Sequence, residues 1–367
     1  MFTSARRLAL ALGLFLCLPV SLTAQVPCQA ESRDFDFLIG EWDVLNRNRP
    51  EDEGRWYDTG TATSRVYPVV AGCGVVEHWR GRAYGDFMVG FSVRAFNPQL
   101  GQWTLVLLWP NGGEPRFGEM VGGFRHNRGE FYSGGISAEG DTTLSRFTFS
   151  DITPNSLLWQ EEASPDNGRS WTSGWIMEFT RREPLYQGPL MNGPALTTLR
   201  CPGPEYRGMD FLIGEWEGTA AADTTEAEGM GVWVEVAPIL EGCGMMERVT
   251  SMGQNSAWEI FRVRAYEPAR ERWVEYRLDT RWPVLQRLVA EVPAAGAPWV
   301  FQSPGDGTTD GSLRVTMTRG VDGSVTWADQ RYNAETTQWE ASPVVVYSRR
   351  LGAAASGGQG SPTPSPR

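Results

Sequence analysis

The chain of 367 residues contains no lysine, so all 33 of its cationic side chains are arginine, and it has only 2 histidines. Its formal net charge of −11 argues against a general nucleic-acid-binding protein, which needs a basic surface. The shortage of histidine disfavours catalysis that requires one in every active unit. Gly-x-Ser-x-Gly, phosphate-loop and His-Glu-x-x-His motifs are also missing, so hydrolase, nucleotide-binding and zinc-protease chemistry lack their required groups. The sequence predicts no metal site.

Long apolar runs are scarce as well, and the one that occurs lies near the N-terminus. Arg6 and Arg7 precede an apolar stretch from Leu8 to Leu22, and Thr23-Ala24 follows as a small-residue cleavage site. This stretch of about fifteen residues is shorter than the roughly 20 that cross a bilayer. We expect residues 1–24 to be a signal peptide, the protein to be exported to the periplasm or beyond the cell, and the mature chain to have no transmembrane segment.

An internal duplication organises the rest of the chain. The heptapeptide Asp36 to Trp42 returns without change as Asp210 to Trp216, at an offset of 174. Other blocks repeat at offsets of 170 and 168: Gly72-Cys73-Gly74 with Gly242-Cys243-Gly244, Val93-Arg94-Ala95 with Val263-Arg264-Ala265, and Trp159 with Trp327. Each copy has about 150 residues, enough to own a hydrophobic core. Two domains in tandem are therefore predicted.

The composition between and after the copies sets the domain limits. Residues 184–200 are rich in Pro and Gly with little periodicity, as in a linker, and residues 352–367 are Gly, Ser, Pro and Ala, as in a disordered tail. The predicted domains are accordingly 25–183 and 201–351.

The mature chain would keep four cysteines, an even number that suits disulfides in an exported protein. Three pairings are possible, and the duplication selects one of them. Cys28 and Cys201 each lie shortly before the repeated heptapeptide, while Cys73 and Cys243 share the Gly-Cys-Gly turn. We therefore expect Cys28 to pair with Cys73 and Cys201 with Cys243.

Within each copy the pattern is almost entirely that of strands. Short segments rich in Val, Thr, Trp, Tyr and Phe alternate with Gly, Asn, Asp and Pro, and helical periodicity is absent. About eight to ten antiparallel strands per copy indicate an all-β fold, either a closed barrel or a sandwich.

The opening motif and the late arginines narrow this choice. Each copy opens on Phe-x-x-Gly-x-Trp and ends its last strand on a pair of arginines: Trp42 with Arg181 or Arg182, and Trp216 with Arg349 or Arg350. This pattern resembles the lipocalin-like barrels of the calycin superfamily, in which the tryptophan closes the barrel and a late arginine stacks on it. Each copy looks like an uncharacterised bacterial family of secreted lipocalin-like domains, distantly similar to nitrobindin. The resemblance implies two tandem antiparallel β-barrels.

The likeness to nitrobindin does not extend to its cofactor. That family binds haem through a histidine late in the barrel, and neither copy has a histidine after His126. We therefore expect no cofactor.

Alternation along the strands points to interior polar residues. Glu77 shares one strand face with Trp79, and Glu247 occupies the same position in the second copy. A carboxylate among apolar neighbours needs a partner, and Arg94 and Arg264 on the following strands are the best candidates. These residues, with Trp79 and Trp109 as apolar lining, are the predicted ligand-binding residues: Glu77, Arg94, Glu247, Arg264, Trp79 and Trp109.

Three functions remain open at this level. The first is an exported protein that holds a small hydrophobic or amphipathic ligand in one or both barrels. The second, by analogy with double-barrel calycins, is a cofactor-free hydratase or cyclase that uses Glu77 or Glu247, with a raised pKa, as general acid/base. The third is a structural or interaction protein with filled barrels. A cavity in either barrel would separate the first two from the third.

Overall fold

The computed structural model describes residues 28, 30–50, 54–111, 114–136, 142–183, 201, 203–220, 231–252, 258–305 and 307–350. The predicted signal peptide, linker and tail lie outside these ranges.

Ten antiparallel strands form the first barrel, because each strand alternates inward apolar side chains with outward polar ones. The sheet closes where the first strand pairs with the tenth. The strands are β1 Gly40–Asn48, β2 Tyr57–Val69, β3 Gly74–Ala83, β4 Asp86–Asn97, β5 Gln102–Asn111, β6 Glu114–Arg125, β7 Arg128–Ile136, β8 Thr142–Ser150, β9 Ser156–Ser164 and β10 Thr172–Arg182. Short 3-10 helices span Ala30–Arg33, Asp36–Leu38 and Val70–Gly72.

The second copy repeats this arrangement with shorter strands. Its strands are β11 Gly214–Ala220, β12 Gly231–Ile239, β13 Gly244–Ser251, β14 Glu259–Glu267, β15 Arg272–Asp279, β16 Trp282–Glu291, β17 Trp299–Gln302, β18 Leu313–Arg319, β19 Val325–Asn333, β20 Gln338–Ala341 and β21 Val345–Arg349. Strand β18 pairs with β19 to close the ring, and β20 extends from β19 outside it. The 3-10 helices are Pro204–Arg207, Asp210–Leu212, Leu240–Gly242 and Pro268–Arg270. The predicted all-β fold of two tandem antiparallel barrels is confirmed.

The repeated heptapeptide closes one end of each barrel. Trp42 is fully buried, and its indole Nε1 donates a hydrogen bond to the carbonyl of Leu38 at 2.8 Å. Arg181 from the last strand lies over the Trp42 ring, 4.0 Å from its centroid, and donates to the carbonyls of Phe37 and Ile39. Gly40 has a φ of +132°, and a Cβ there would lie 2.4 Å from the Arg181 guanidinium. Glycine is therefore required at this close approach.

The second barrel repeats this closure. Arg349 lies 4.6 Å from the centroid of the Trp216 ring and donates to the carbonyls of Phe211 and Ile213. Of each arginine pair, the first member thus stacks on the heptapeptide tryptophan. Arg182 instead approaches Asp43 at 3.6 Å, and Arg350 lies over Trp233 at 4.4 Å.

Two disulfides fasten the segments that precede the barrels. Cys28 is bonded to Cys73 and Cys201 to Cys243, each pair with 5.3 Å between Cα atoms. These are the pairs that the duplication selects, and they close loops of 45 and 42 residues.

An apolar cluster on the outer faces joins the two barrels. Strand β4 of the first barrel contacts β16 of the second, and β6 contacts β14 in the same way. Since β4 and β6 are the counterparts of β14 and β16, the barrels are related by an approximate twofold axis, as in an isologous dimer. The buried members are Tyr67, Val69, Val70, Val76, Phe91, Val93, Ala95, Val106, Leu108, Ile239, Leu240, Met246, Phe261, Val263, Ala265, Val274, Tyr276 and Leu278, with Cys73 and Cys243 beside them.

Within the described ranges, no helix has the length and apolar character needed to cross a membrane.

Candidate functional site

The first barrel encloses a cavity of about 510 Å³. Most of its lining is aromatic or aliphatic, and seven of the ten strands contribute to it. The apolar lining consists of Leu38, Trp79, Tyr84, Met88, Phe91, Leu105, Leu107, Trp109, Phe117, Phe147, Phe149, Trp159, Trp175, Met177 and Phe179. The polar lining is short: Glu77, Ser92, Arg94, Arg116 and Glu161.

Aromatic rings are concentrated at the end of the cavity opposite the Trp42 closure. Trp109 and Trp159 lie 5.6 Å and 5.2 Å from Trp175 between ring centroids, and Tyr84, on the turn after β3, lies 5.4 Å from Trp175. Trp79 is 5.2 Å from Trp109. We call these five residues the aromatic cluster. Trp175 is held in place by a hydrogen bond from its Nε1 to Asn46 Oδ1 at 3.0 Å.

Deeper in the cavity, Glu77 and Arg94 form a buried ion pair. The Arg94 guanidinium donates to one Glu77 oxygen, and the Ser64 and Ser92 hydroxyls donate to the carboxylate at 2.6 Å and 3.3 Å. Burial raises the pKa of Glu77, but the charge of Arg94 and these hydrogen bonds outweigh it, so the pKa lies below its usual range. Glu77 is ionised. Arg94 retains two N–H groups, on Nε and Nη1, without a hydrogen-bond partner among the described residues.

A second carboxylate, that of Glu161, lines the same cavity but has different surroundings from Glu77. It sits on β9 directly across from Trp175 on β10 and Phe147 on β8. Among the described residues, its side chain has no ion pair and no hydrogen-bond donor, and burial raises its pKa. Of the two carboxylates that line the cavity, Glu161 is thus the one that no described side chain neutralises.

The sequence reasoning missed Glu161, although a signal for it was present. Trp159 recurs in both copies and faces inward, and alternation puts the residue two positions later on the same face. Glu161 and its counterpart Asp329 were therefore identifiable as a repeated inward carboxylate.

The interior of the second barrel holds a network of buried charges. Glu247 accepts hydrogen bonds from both Arg262 and Arg264, and Arg264 also donates to Glu275. All four side chains are at most 2% exposed. Burial raises the pKa of Glu247, but the two arginines lower it further, so this carboxylate is also ionised. Glu247 therefore has two arginine partners, and the predicted one, Arg264, is one of them.

The network continues toward the opposite end of the second barrel. Arg277 contacts Asp329 at 2.7 Å and Asp279 at 3.2 Å, and Arg281 contacts Asp279 at 2.6 Å. Burial opposes ionisation of Asp279, but hydrogen bonds from Arg281 and the nearby positive charges lower its pKa to about 2.

The two interiors differ at a few equivalent positions, and these substitutions explain the cavity. Where the second barrel has the long charged side chains of Arg262, Glu275, Arg277 and Asp279, the first barrel has Ser92, Leu105, Leu107 and Trp109. The carboxylate positions Glu77 and Glu161 remain, as do the corresponding Glu247 and Asp329. The first barrel therefore has an apolar cavity where the second has a charged core, and both copies have carboxylates at the two positions.

The predicted ligand-binding residues consequently separate into two groups. Glu77, Arg94, Trp79 and Trp109 all line one cavity in the first barrel. Glu247 and Arg264 lie within the charged network of the second. The expectation of a raised pKa at Glu77 or Glu247 is wrong, because each carboxylate is stabilised by at least one buried arginine.

In the described part of the chain, no cluster of three or more His, Cys, Asp or Glu side chains could hold a metal ion.

Comparisons with known proteins give a likeness at the level of solved structures alone. No protein-family model and no curated protein matches the chain. Among solved structures, an S-type phycobiliprotein lyase from Guillardia theta is 10% identical, with 42% of this chain and 99% of that chain covered and a TM-score of 0.25. A Nostoc punctiforme protein of unknown function, from the DUF3598 family, is 14% identical. The match covers 88% of this chain and 100% of that chain, with a TM-score of 0.22.

Proposed function

We propose that the first barrel binds a small hydrophobic or amphipathic molecule and that the second barrel is its packed structural companion. The observation that supports this most directly is the contrast between equivalent interiors. Positions that carry charged side chains in the second barrel carry Ser92, Leu105, Leu107 and Trp109 in the first, around a cavity of about 510 Å³. That volume lies within the range of small-molecule sites. An apolar lining with few polar groups suits a ligand that is mostly apolar.

Export from the cytoplasm is part of the same proposal. Two disulfides favour an oxidising compartment, and the charged and apolar segments before residue 25 have the order of a signal peptide. Membership of the secreted lipocalin-like family is likewise proposed, on the Phe-x-x-Gly-x-Trp opening and the stacked late arginine.

Native mass spectrometry of protein purified from its own host tests for a co-purified ligand. A direct binding test uses 1-decanol and the change in tryptophan fluorescence, because Trp79, Trp109, Trp159 and Trp175 line the cavity. Leu107→Trp fills the cavity from β5 and should weaken decanol binding at least tenfold. Thr104→Trp adds the same ring to the outer face of β5 and should leave the affinity unaltered. Equal affinities in the two variants would contradict binding in this cavity.

A further inference from the structure

Glu161 and its counterpart Asp329 differ in the charge that faces them. In the second barrel, Asp329 is paired with Arg277 at 2.7 Å. In the first barrel the position of Arg277 is taken by Leu107, which lines the cavity. Among the described residues, Glu161 therefore has no equivalent of the cation that pairs with Asp329. A half-buried carboxylate that has no cation beside it among the described residues is only partly solvated, so the place of the missing charge is available to a ligand.

The surroundings of Glu161 are those that a cationic group favours. The aromatic cluster contributes four tryptophans and Tyr84 to the same end of the cavity, and tryptophan faces attract cations most strongly. Of the two guanidinium groups that line the cavity, that of Arg94 is neutralised by Glu77, and Arg116 is exposed on β6. A desolvated alkylammonium head would meet both a carboxylate and several ring faces there.

We infer that the ligand of the first barrel is a cationic amphiphile, with an ammonium or other protonated nitrogen beside Glu161 and the aromatic cluster and an apolar body in the rest of the cavity. This inference rests on the proposed function. It names the chemical class of the ligand, which a hydrophobic cavity alone does not.

The test compares three probes that share a ten-carbon chain and differ in the head group: decyltrimethylammonium, 1-decanol and decanoate. Affinities are measured by tryptophan fluorescence below the concentrations at which the probes form micelles. The full-length protein should bind decyltrimethylammonium at least tenfold more tightly than decanoate. In Glu161→Gln, the ratio of the ammonium affinity to the decanol affinity should fall about tenfold. Asp151→Asn, a matched change on an exposed turn at the closed end, should leave that ratio unaltered.

The outcomes separate this inference from the proposed function. The cationic ligand would be overturned if Glu161→Gln had the same ratio of ammonium to decanol affinity as the unmodified protein. Tighter binding of decanoate than of the ammonium probe would overturn it as well. In both cases, binding of decanol would still support a hydrophobic site. Failure of all three probes to bind would overturn both. Decanol binding by Glu161→Gln also reports that the variant is folded, so a lowered ratio cannot arise from unfolding.

Discussion

At the scale of single residues, the arginine pairs show how geometry separates neighbours that look equivalent in sequence. Arg181 and Arg182 both end β10, but their side chains point to opposite faces of the sheet. Arg181 reaches the Trp42 ring and three backbone carbonyls, those of Phe37, Ile39 and Pro154. Arg182 reaches Asp43 at the surface. The sequence leaves the choice between them open because both positions are arginine in both copies.

Arg181→Ala should lower the free energy of unfolding by about 2 kcal/mol, because it removes a cation–π contact and three hydrogen bonds that tie the first strand to the last. Arg182→Ala should change it by less than about 0.5 kcal/mol, since only a surface ion pair is lost. Urea denaturation of both variants measures the difference. Equal effects would show that the stacked arginine does not close the barrel.

At the scale of elements, strands β14 and β15 differ from β4 and β5 in what they place inside. The strand pairing is conserved, with Tyr266 opposite Trp273 as Phe96 is opposite Trp103. Backbone register is therefore independent of the interior chemistry. Hydrogen bonds between main chains fix the barrel, and the inward side chains are free to diverge between a charged network and a cavity.

The charged network predicts acid sensitivity of the second barrel. The pKa values of Glu247, Asp279 and Asp329 are lowered in the folded state by their arginine partners, although burial opposes this. Groups of this kind contribute stability above their unfolded pKa values, and that stability is lost as the pH falls through the folded ones. Unfolding free energy should therefore decrease from about pH 5 toward pH 2. Denaturant titrations at several pH values measure this slope.

Asp279→Asn should lower stability at pH 7 by roughly 3 kcal/mol, because Arg277 loses a buried partner, and should make the acid slope shallower. Asp151→Asn, on an exposed turn, serves as control. An unchanged slope in Asp279→Asn would contradict the assignment of acid sensitivity to this network.

At the scale of the whole molecule, we expect the shared apolar cluster to make the two barrels one cooperative unit. The shared cluster contains residues from both copies, and polar contacts cross it as well: Tyr276 donates to Glu119, and Arg80 lies 3.2 Å from Glu241. Each barrel also has a core of its own. Unfolding of one barrel would expose the apolar face of the other, which couples their stabilities.

Val93→Asp should uncouple the barrels. Val93 is 1% exposed within the shared cluster, and a carboxylate there has no cation to pair with among the cluster members, at a cost of several kcal/mol. Scanning calorimetry should then resolve two transitions in place of one. A single transition at a lower temperature would show that the two barrels still unfold together and would contradict the uncoupling.

The sequence by itself determined the duplication, the all-β pattern, the cysteine pairing and the contact between Glu77 and Arg94. These depend on repetition and on the alternation of side chains along strands, which are local and visible in one dimension. The tertiary structure alone decided which arginine stacks, that the first barrel contains a cavity and that Glu161 has no ion-pair partner among the described residues. Each of these depends on which side chains meet in the folded barrel, and those side chains come from strands that are distant in the sequence. Leu107, Trp109 and Glu161 lie far apart in the chain, and only closure of the barrel places them around one cavity.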